Sequence, residues 1–368
     1  MALLASVGAA AAPAIQTDFL DNDVLAELPV TRIVRATAAS EPQLTQAVRQ
    51  NLQLAQRHGD PRYLGYARRL LADWPEQDLG PEPRLLRARL RQSLHEFDAA
   101  RADLEFVRAH SDSPSLNRQA ILLQATMALA QGHYPEAGQA CRALLQQRAD
   151  LMAYSCQALV EGRTGNPESA YRSLRQILRQ SRASNAQQLG WTLGSLGELA
   201  DLLELDDARR HWQTALLMTP DDLYVRTQLA DWHLRQGEPE HTLELTEGYA
   251  QVDSLAVLRA IALERSGHRP QAEALAAHLD ERFAEALWRG DLLHRREYAR
   301  FLLDVSNRPE QALTQARLNW QDQREPADTR LLLRAARAAG DPQASAQAHR
   351  WLTSTRTTGT APARGGTD

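Results

Sequence analysis

Lysine is absent from this chain of 368 residues: all 42 cationic side chains are arginine, set against 46 acidic ones. That absence excludes a Walker-A phosphate loop, a protein-kinase nucleotide site, a Schiff-base or PLP enzyme and the serine–lysine hydrolases, since each needs a lysine amine. It also leaves no lysine to acetylate or ubiquitinate. A genome bias toward arginine codons explains the composition, and the exclusion holds regardless. Aromatic residues make up only 5% of the chain, and runs that read as strands are missing. The net charge of -4, without a basic block, gives no electrostatic reason to expect nucleic acid as a partner. No internal segment approaches the ~18 uninterrupted apolar residues of a membrane span. With 43% hydrophobic and 24% charged residues, the composition is that of an ordinary soluble folded protein.

Cysteine is nearly absent too. Cys141 and Cys156 flank a turn near Arg148-Asp150. Helices rise ~1.5 Å per residue, so on an antiparallel pair the two thiols climb to about the same height from that turn. They can then bond in an oxidising compartment, or they are two small buried hydrophobes. Residues 1–14, Met-Ala-Leu-Leu-Ala-Ser-Val-Gly-Ala-Ala-Ala-Ala-Pro-Ala, resemble the apolar core and cleavage site of a secretory signal. Ala12-Pro13-Ala14 stands as the A-x-A site, although no basic residue precedes the run and the first arginine is Arg32. The segment predicts a periplasmic or secreted protein; if it is only a flexible leader, the location is cytoplasmic. Residues 15–40 read as an N-terminal cap segment, and residues 354–368, with no apolar pattern, as a disordered tail.

What is abundant is self-similarity. A small residue, a variable one, Pro or an aromatic, then a small residue three positions on recur along the chain. The motif appears at Gly59-Asp60-Pro61, Gly132-His133-Tyr134 with Ala137, and Gly165-Asn166-Pro167 with Ala170. It returns at Gly237-Glu238-Pro239, Gly267-His268-Arg269 with Ala272, Asn307-Arg308-Pro309 with Ala312, and Gly340-Asp341-Pro342. Two further units lack the glycine: Phe97 with Ala100, and Leu205 with Ala208. The anchors Ala100, Ala137, Ala170, Ala208, Thr242, Ala272, Ala312 and Ser345 are separated by 37, 33, 38, 34, 30, 40 and 33 residues. Glycine ends one helix in a left-handed conformation, proline opens the next where its missing N–H costs nothing, and the small anchor lets two helices approach. Apolar residues between the turns follow helical spacing, as in Leu193-Leu196-Gly197-Ala200 and Ala208-Trp212-Ala215-Leu216.

A helix-turn-helix unit of this period resembles the tetratricopeptide repeat (TPR) family over roughly residues 41–353. Ala208, Trp212, Ala215 and Pro220 carry the second-helix signature, and Gly132, Tyr134, Ala137 and Leu144 make the next best unit. The usual first-helix Trp and Leu-Gly pair are mostly missing, and the 38- and 40-residue gaps predict longer helices or inserted turns around Ser181-Gln188 and Leu279-Asp291. The resemblance implies an all-α fold, an α-solenoid of about nine TPR-like hairpins forming a right-handed superhelix. The chain as a whole also resembles TPR proteins exported by high-GC proteobacteria, which brings no defined activity.

Catalytic and metal motifs do not emerge. The eleven histidines are scattered about once per unit, without H-E-x-x-H or zinc spacing. His294 and Glu297, three apart, read as a structural pair rather than a metal site. Ser195 in Leu193-Gly194-Ser195-Leu196-Gly197 imitates a nucleophile elbow but lies in mid-helix, where packing glycines explain it better. Asp206-Asp207 and Asp221-Asp222 precede helices and complement their dipoles. Trp191, Trp212, Trp232, Trp320 and Trp351 join apolar periodicity, whereas Trp74 and Trp288 end helices and read as half exposed. No cofactor is implied.

In the family, the first helix of each hairpin lines a concave groove. Its groove-facing positions carry over to Arg89, Arg163, Tyr224, Asp231, Arg235, Arg265, Glu297, Arg330, Arg334 and Arg337. Arginine forks suit bidentate capture of carboxylate or phosphate, and Arg330, Arg334 and Arg337 share one face; a solvated charged face is the alternative. Some family members clamp a partner's C-terminal carboxylate with Lys and Asn, a mode this sequence lacks. The expectation is a non-catalytic scaffold that binds a peptide or helix of another protein in the groove. The alternative is an accessory subunit of a membrane-associated assembly that binds polysaccharide or lipid-linked glycan. Exposed aromatics along the groove favour glycan; a charged or aliphatic groove favours protein.

Overall fold

A computed structural model describes residues 40–182, 185–290 and 293–358, the last three of these by their main chain only, and all lie in the compact unit Ala38–Asp368. The signal-like segment, the cap up to residue 39, and residues 359–368 of the tail fall outside the described residues. Among the described residues, eighteen α-helices follow one another as nine hairpins. They are α1 (Glu41–His58) with α2 (Arg62–Ala72), α3 (Pro81–Ser93) with α4 (Phe97–His110), α5 (Pro114–Gln131) with α6 (Tyr134–Gln147), and α7 (Leu151–Arg163) with α8 (Pro167–Gln180). Then come α9 (Ala186–Leu202) with α10 (Asp207–Met218), α11 (Leu223–Gln236) with α12 (Pro239–Thr246), and α13 (Asp253–Arg265) with α14 (Arg269–Arg289). The last are α15 (Arg295–Asp304) with α16 (Pro309–Asp322) and α17 (Pro326–Ala338) with α18 (Pro342–Thr358). No strand occurs among the described residues.

The recurrent turn motif builds these hairpins. Gly132 ends α5 at φ 74 and Gly237 ends α11 at φ 77, and each lets the next helix start two residues later. The two units without a glycine force His95 (φ 59) and Glu204 (φ 56) into the same left-handed conformation, and Asn307 (φ 51) serves the third exception. Anchors Ala100, Ala137, Ala170, Ala208, Thr242 and Ala312 are fully buried at the helix crossings. In the last hairpin the buried position belongs to Ala344, one residue before the Ser345 that the motif spacing picks out. The irregular gaps have physical causes: α14 runs 21 residues, α12 only 8, and α9 17. Helix α18 continues to Thr358, so helix carries on past residue 353.

First helices lie side by side, α1 on α3, α3 on α5, α5 on α7 and α7 on α9, then α11 on α13, α13 on α15 and α15 on α17. The core runs along the stack as successive patches, from Leu44, Val48 and Leu71 at one end to Leu332, Ala335 and Ala348 at the other. This is how a hairpin that cannot bury its own apolar face becomes stable. The array also returns upon itself. The Gln251 side chain reaches the His58 carbonyl at 3.5 Å, and the Arg324 N–H donates to the Ala130 carbonyl at 2.7 Å. Gln323 bonds the His95 ring at 2.9 Å, and Trp351 packs on Tyr134 with centroids 5.9 Å apart. Late hairpins therefore meet the turn ends of early ones.

Candidate functional site

The inner side of the array is lined mainly by first helices, is open to solvent, and has two regions of different chemistry. The larger is a cavity of about 660 Å³ between α1, α3, α5, α7, α9 and the start of α13 and α15. That volume lies in the range of ligand-binding pockets. Its apolar wall is aliphatic, with Leu52, Leu86, Leu122, Leu123 and Met152, and Trp191 is its single tryptophan. Its polar wall is rich in amides. Gln53 and Gln56 on α1, Gln92 on α3 and Gln187 on α9 have no side-chain hydrogen bond among the described residues, while Gln119 accepts from Arg89 at 3.0 Å. Most charges here are already neutralised: Arg49 on Glu82, Asp60 on Arg62, and Asp253 on His294 and Arg282. Glu297 lines the cavity without an ion pair among the described residues.

The second region is an ion-pair lattice between the first helices of the later hairpins. Arg163, its side chain only 5% exposed, donates to Glu198 at 2.7 Å, and the Tyr224 hydroxyl donates to the other Glu198 oxygen at 3.1 Å. Burial raises the Glu198 carboxyl above its ordinary value even against Arg163. The Tyr224 ring stays 42% accessible, but its phenol end, closed in by protein and facing Glu198 and Glu325, is raised well above its usual range. Arg296 bridges Glu325 at 2.6 Å and Asp328 at 2.5 Å, and those two carboxylates form the capping box that starts α17. Farther along, Arg300 joins Asp231 to Asp304, Arg235 joins Asp201 to Asp231, Arg330 faces Asp201 and Arg334 contacts Asp304. Burial opposes the Asp231 charge, yet Arg300, Arg235 and Arg330 hold its carboxyl down to about 2.

No family model matches the chain, and no curated protein matches it. Among solved structures, it is similar to the crystal structure of the P58(IPK) TPR domain, at 13% identity over 83% of this chain and 90% of that one. The TM-score of that match is 0.21, a superposition too loose to carry an argument. The architecture is a TPR-like α-solenoid. That statement rests on the nine hairpins and their buried anchors.

All ten residues singled out by sequence lie on first helices, but the structure distributes them unequally. Arg89 and Glu297 line the large cavity. Arg163, Tyr224, Asp231, Arg235, Arg330 and Arg334 belong to the ion-pair lattice. Arg265 donates to the Leu234 carbonyl at 2.7 Å and Arg337 is exposed. The glutamines, Glu198, Asp201, Arg296, Arg300 and Asp304 escaped the groove-position pattern.

Other expectations find their places. Cys141 and Cys156 are bonded across α6 and α7, Cα atoms 5.5 Å apart, inside the core. His294 pairs with Asp253 at 2.7 Å, not with the Glu297 that sequence spacing suggested, because Asp253 comes from the neighbouring hairpin. Burial alone would lower that imidazole; the Asp253 bond and the Glu297 charge raise it instead. No cluster of metal-ligating groups exists among the described residues. Ser195 is buried in mid-helix α9 and donates to the Trp191 carbonyl. Trp288 is 86% exposed, well beyond half, because α14 outruns its partner helix. Among the described residues, no helix is long and apolar enough to cross a membrane.

Proposed function

We propose that the protein is a non-catalytic interaction scaffold that holds a segment of another protein in the lumen of its helical array. One observation carries this reading: the 660 Å³ cavity joins an aliphatic wall to side-chain amides on α1, α3 and α9 that no protein group engages among the described residues. A side-chain amide offers one donor and one acceptor group, the complement of a peptide unit. Aliphatic walls with a single tryptophan favour protein over polysaccharide or lipid-linked glycan, which asks for exposed rings. Neighbouring helices sit ~8–10 Å apart and an extended chain advances ~3.3–3.6 Å per residue, so the amides of α1 and α3 would address residues about three apart.

Photo-crosslinking tests this. A crosslinker at Gln92 or Gln187, in the cavity lining, should capture a protein, while one at Glu168 on α8, outside that lining, should not. Capture only from Glu168 overturns the lumen reading, and saturable glycan binding without protein capture favours the alternative.

We also propose export to the periplasm or beyond. Support comes from the signal-like residues 1–14 and from the bond between Cys141 and Cys156, which persists in oxidising compartments. Recovery of the chain only in the cytoplasmic fraction refutes it.

A further inference from the structure

We propose that the lumen holds a second binding site, specific for a phosphate-type dianion, in the cavity between α11, α13, α15 and α17. That cavity measures about 230 Å³ and is lined by Asp231, Arg235, Arg265, Arg300, Arg330 and Arg334 together with Leu234, Ala327 and Leu331. Five guanidinium groups converge on it.

Their anions are insufficient. Arg235 contacts Asp201 at 2.7 Å and Asp231 at 3.1 Å, Arg300 contacts Asp231 at 2.8 Å and Asp304, and Arg334 contacts Asp304. Arg330 only faces Asp201, at 3.5 Å, and Arg265 has no carboxylate partner among the described residues, donating to the Leu234 carbonyl instead. Three carboxylates thus serve five cations, which leaves two positive charges. The imbalance has an electrostatic trace: burial, with repulsion from Arg235 and Arg300 added, pushes the Arg330 guanidinium below its ordinary value against the pull of Asp201 and Asp231.

Ligand chemistry follows from that excess and from donor geometry. Guanidinium forks present paired N–H groups that match the oxygens of a tetrahedral oxyanion, and an anion of charge two neutralises the site. Arg265 and Arg334 are exposed, so solvent reaches the cavity and an anion can enter without unfolding the lattice. The site is separate from the amide-lined cavity, whose lining shares no residue with it.

Isothermal titration of the full chain with inorganic phosphate, phenyl phosphate and succinate tests the assignment. Arg265→Gln and Arg330→Gln are the informative variants, because each leaves every lattice carboxylate with another arginine; Arg337→Gln, outside the cavity lining, is the control. Phosphate or phenyl phosphate should bind, and each informative variant should raise Kd about tenfold or more while the control does not. Circular dichroism confirms folding of each variant. Phenyl phosphate binding about tenfold tighter than phosphate points to a phosphoryl group on a larger ligand, and equal affinity to free phosphate. Preference for succinate, unchanged affinity in both informative variants, or no binding of either phosphate probe overturns the proposal. Peptide capture in the other cavity is read separately and does not depend on this result.

Discussion

Replacing Gly197 by alanine should destabilise the fold, although alanine is the better helix former. The residue lies within α9, where Gly→Ala normally gains ~1 kcal/mol from helix propensity. A Cβ built at Gly197 would stand 2.3 Å from Trp212 Nε1 and 2.5 Å from its Cδ1, against carbon contacts of ~3.5–4.0 Å at best separation. Trp212 cannot yield cheaply, being 1% exposed and donating through Nε1 to the Gly194 carbonyl at 3.2 Å. Overpacking of a tight core costs ~1–3 kcal/mol, and a buried donor left unpaired ~1–3 kcal/mol more. Subtracting the propensity gain leaves a net loss of ~1–5 kcal/mol. Gly65 is the internal control: it lies in α2 with nothing within 4 Å of a built Cβ, so the same substitution should stabilise by up to ~1 kcal/mol. Urea unfolding followed by tryptophan fluorescence and circular dichroism compares the two. If Gly197→Ala gains stability as Gly65→Ala does, the close crossing of α9 and α10 is wrong, and with it the placement of Trp212.

Glu204→Gly should raise stability by ~0.5–1 kcal/mol in urea unfolding, because a left-handed residue costs ~1–2 kcal/mol that glycine avoids, less the entropy glycine adds to the unfolded chain; a loss would contradict the turn geometry. Denatured, unreduced protein should show no free thiols among its two cysteines, and reduction should lower unfolding stability by ~2–4 kcal/mol for a 15-residue separation; two free thiols would refute the bond. Asp231, held to about 2 in the folded chain against an ordinary 3.8, contributes stability above pH ~4 that is lost as pH falls toward 2. The contribution is ~2–3 kcal/mol, so Asp231→Asn should flatten that part of the stability–pH profile, and an unchanged profile would remove Asp231 from the lattice.

Turn chemistry made the hairpins legible. The glycine–proline punctuation and the buried small anchors sit where the period put them in every unit but the last, where Ala344 replaces Ser345, and even Phe97 and Leu205, which begin units without a glycine, mark true turns. First-helix membership of the groove residues was equally readable. What periodicity did not reveal is whether a groove arginine faces solvent or another hairpin, since that depends on how tightly the solenoid winds, a long-range property. A usable signal was nonetheless present. Arg163 and Glu198 are 35 residues apart, Arg235 and Asp201 34, Arg296 and Asp328 32, and Arg334 and Asp304 30. Opposite charges one repeat apart on first helices pair sideways between neighbours. The amide-lined cavity left no such mark, because glutamine on a helix surface is compositionally ordinary.

The absence of lysine can now be tested as geometry rather than codon usage. In the lattice one guanidinium reaches two acceptors at once: Arg300 spans Asp231 and Asp304, Arg235 spans Asp201 and Asp231, and Arg296 spans Glu325 and Asp328. An ammonium is a compact point charge without the planar fork, and a lysine at 300 would hold one carboxylate well and leave the other short of its donor. Asp304 would keep Arg334, and Asp231 would keep Arg235, so the expected loss is that of one charge-assisted hydrogen bond, ~1.5–3 kcal/mol. Arg210 provides the comparison, an exposed arginine whose side chain bonds only Asp207, three residues back, among the described residues, and where lysine should change stability by less than ~0.5 kcal/mol. Chemical denaturation of Arg300→Lys and Arg210→Lys separates the two causes. A clear loss at 300 with none at 210 means the lumen requires guanidinium forks. Equal, negligible effects mean that the lattice is indifferent to fork geometry, and the composition then reflects codon bias alone.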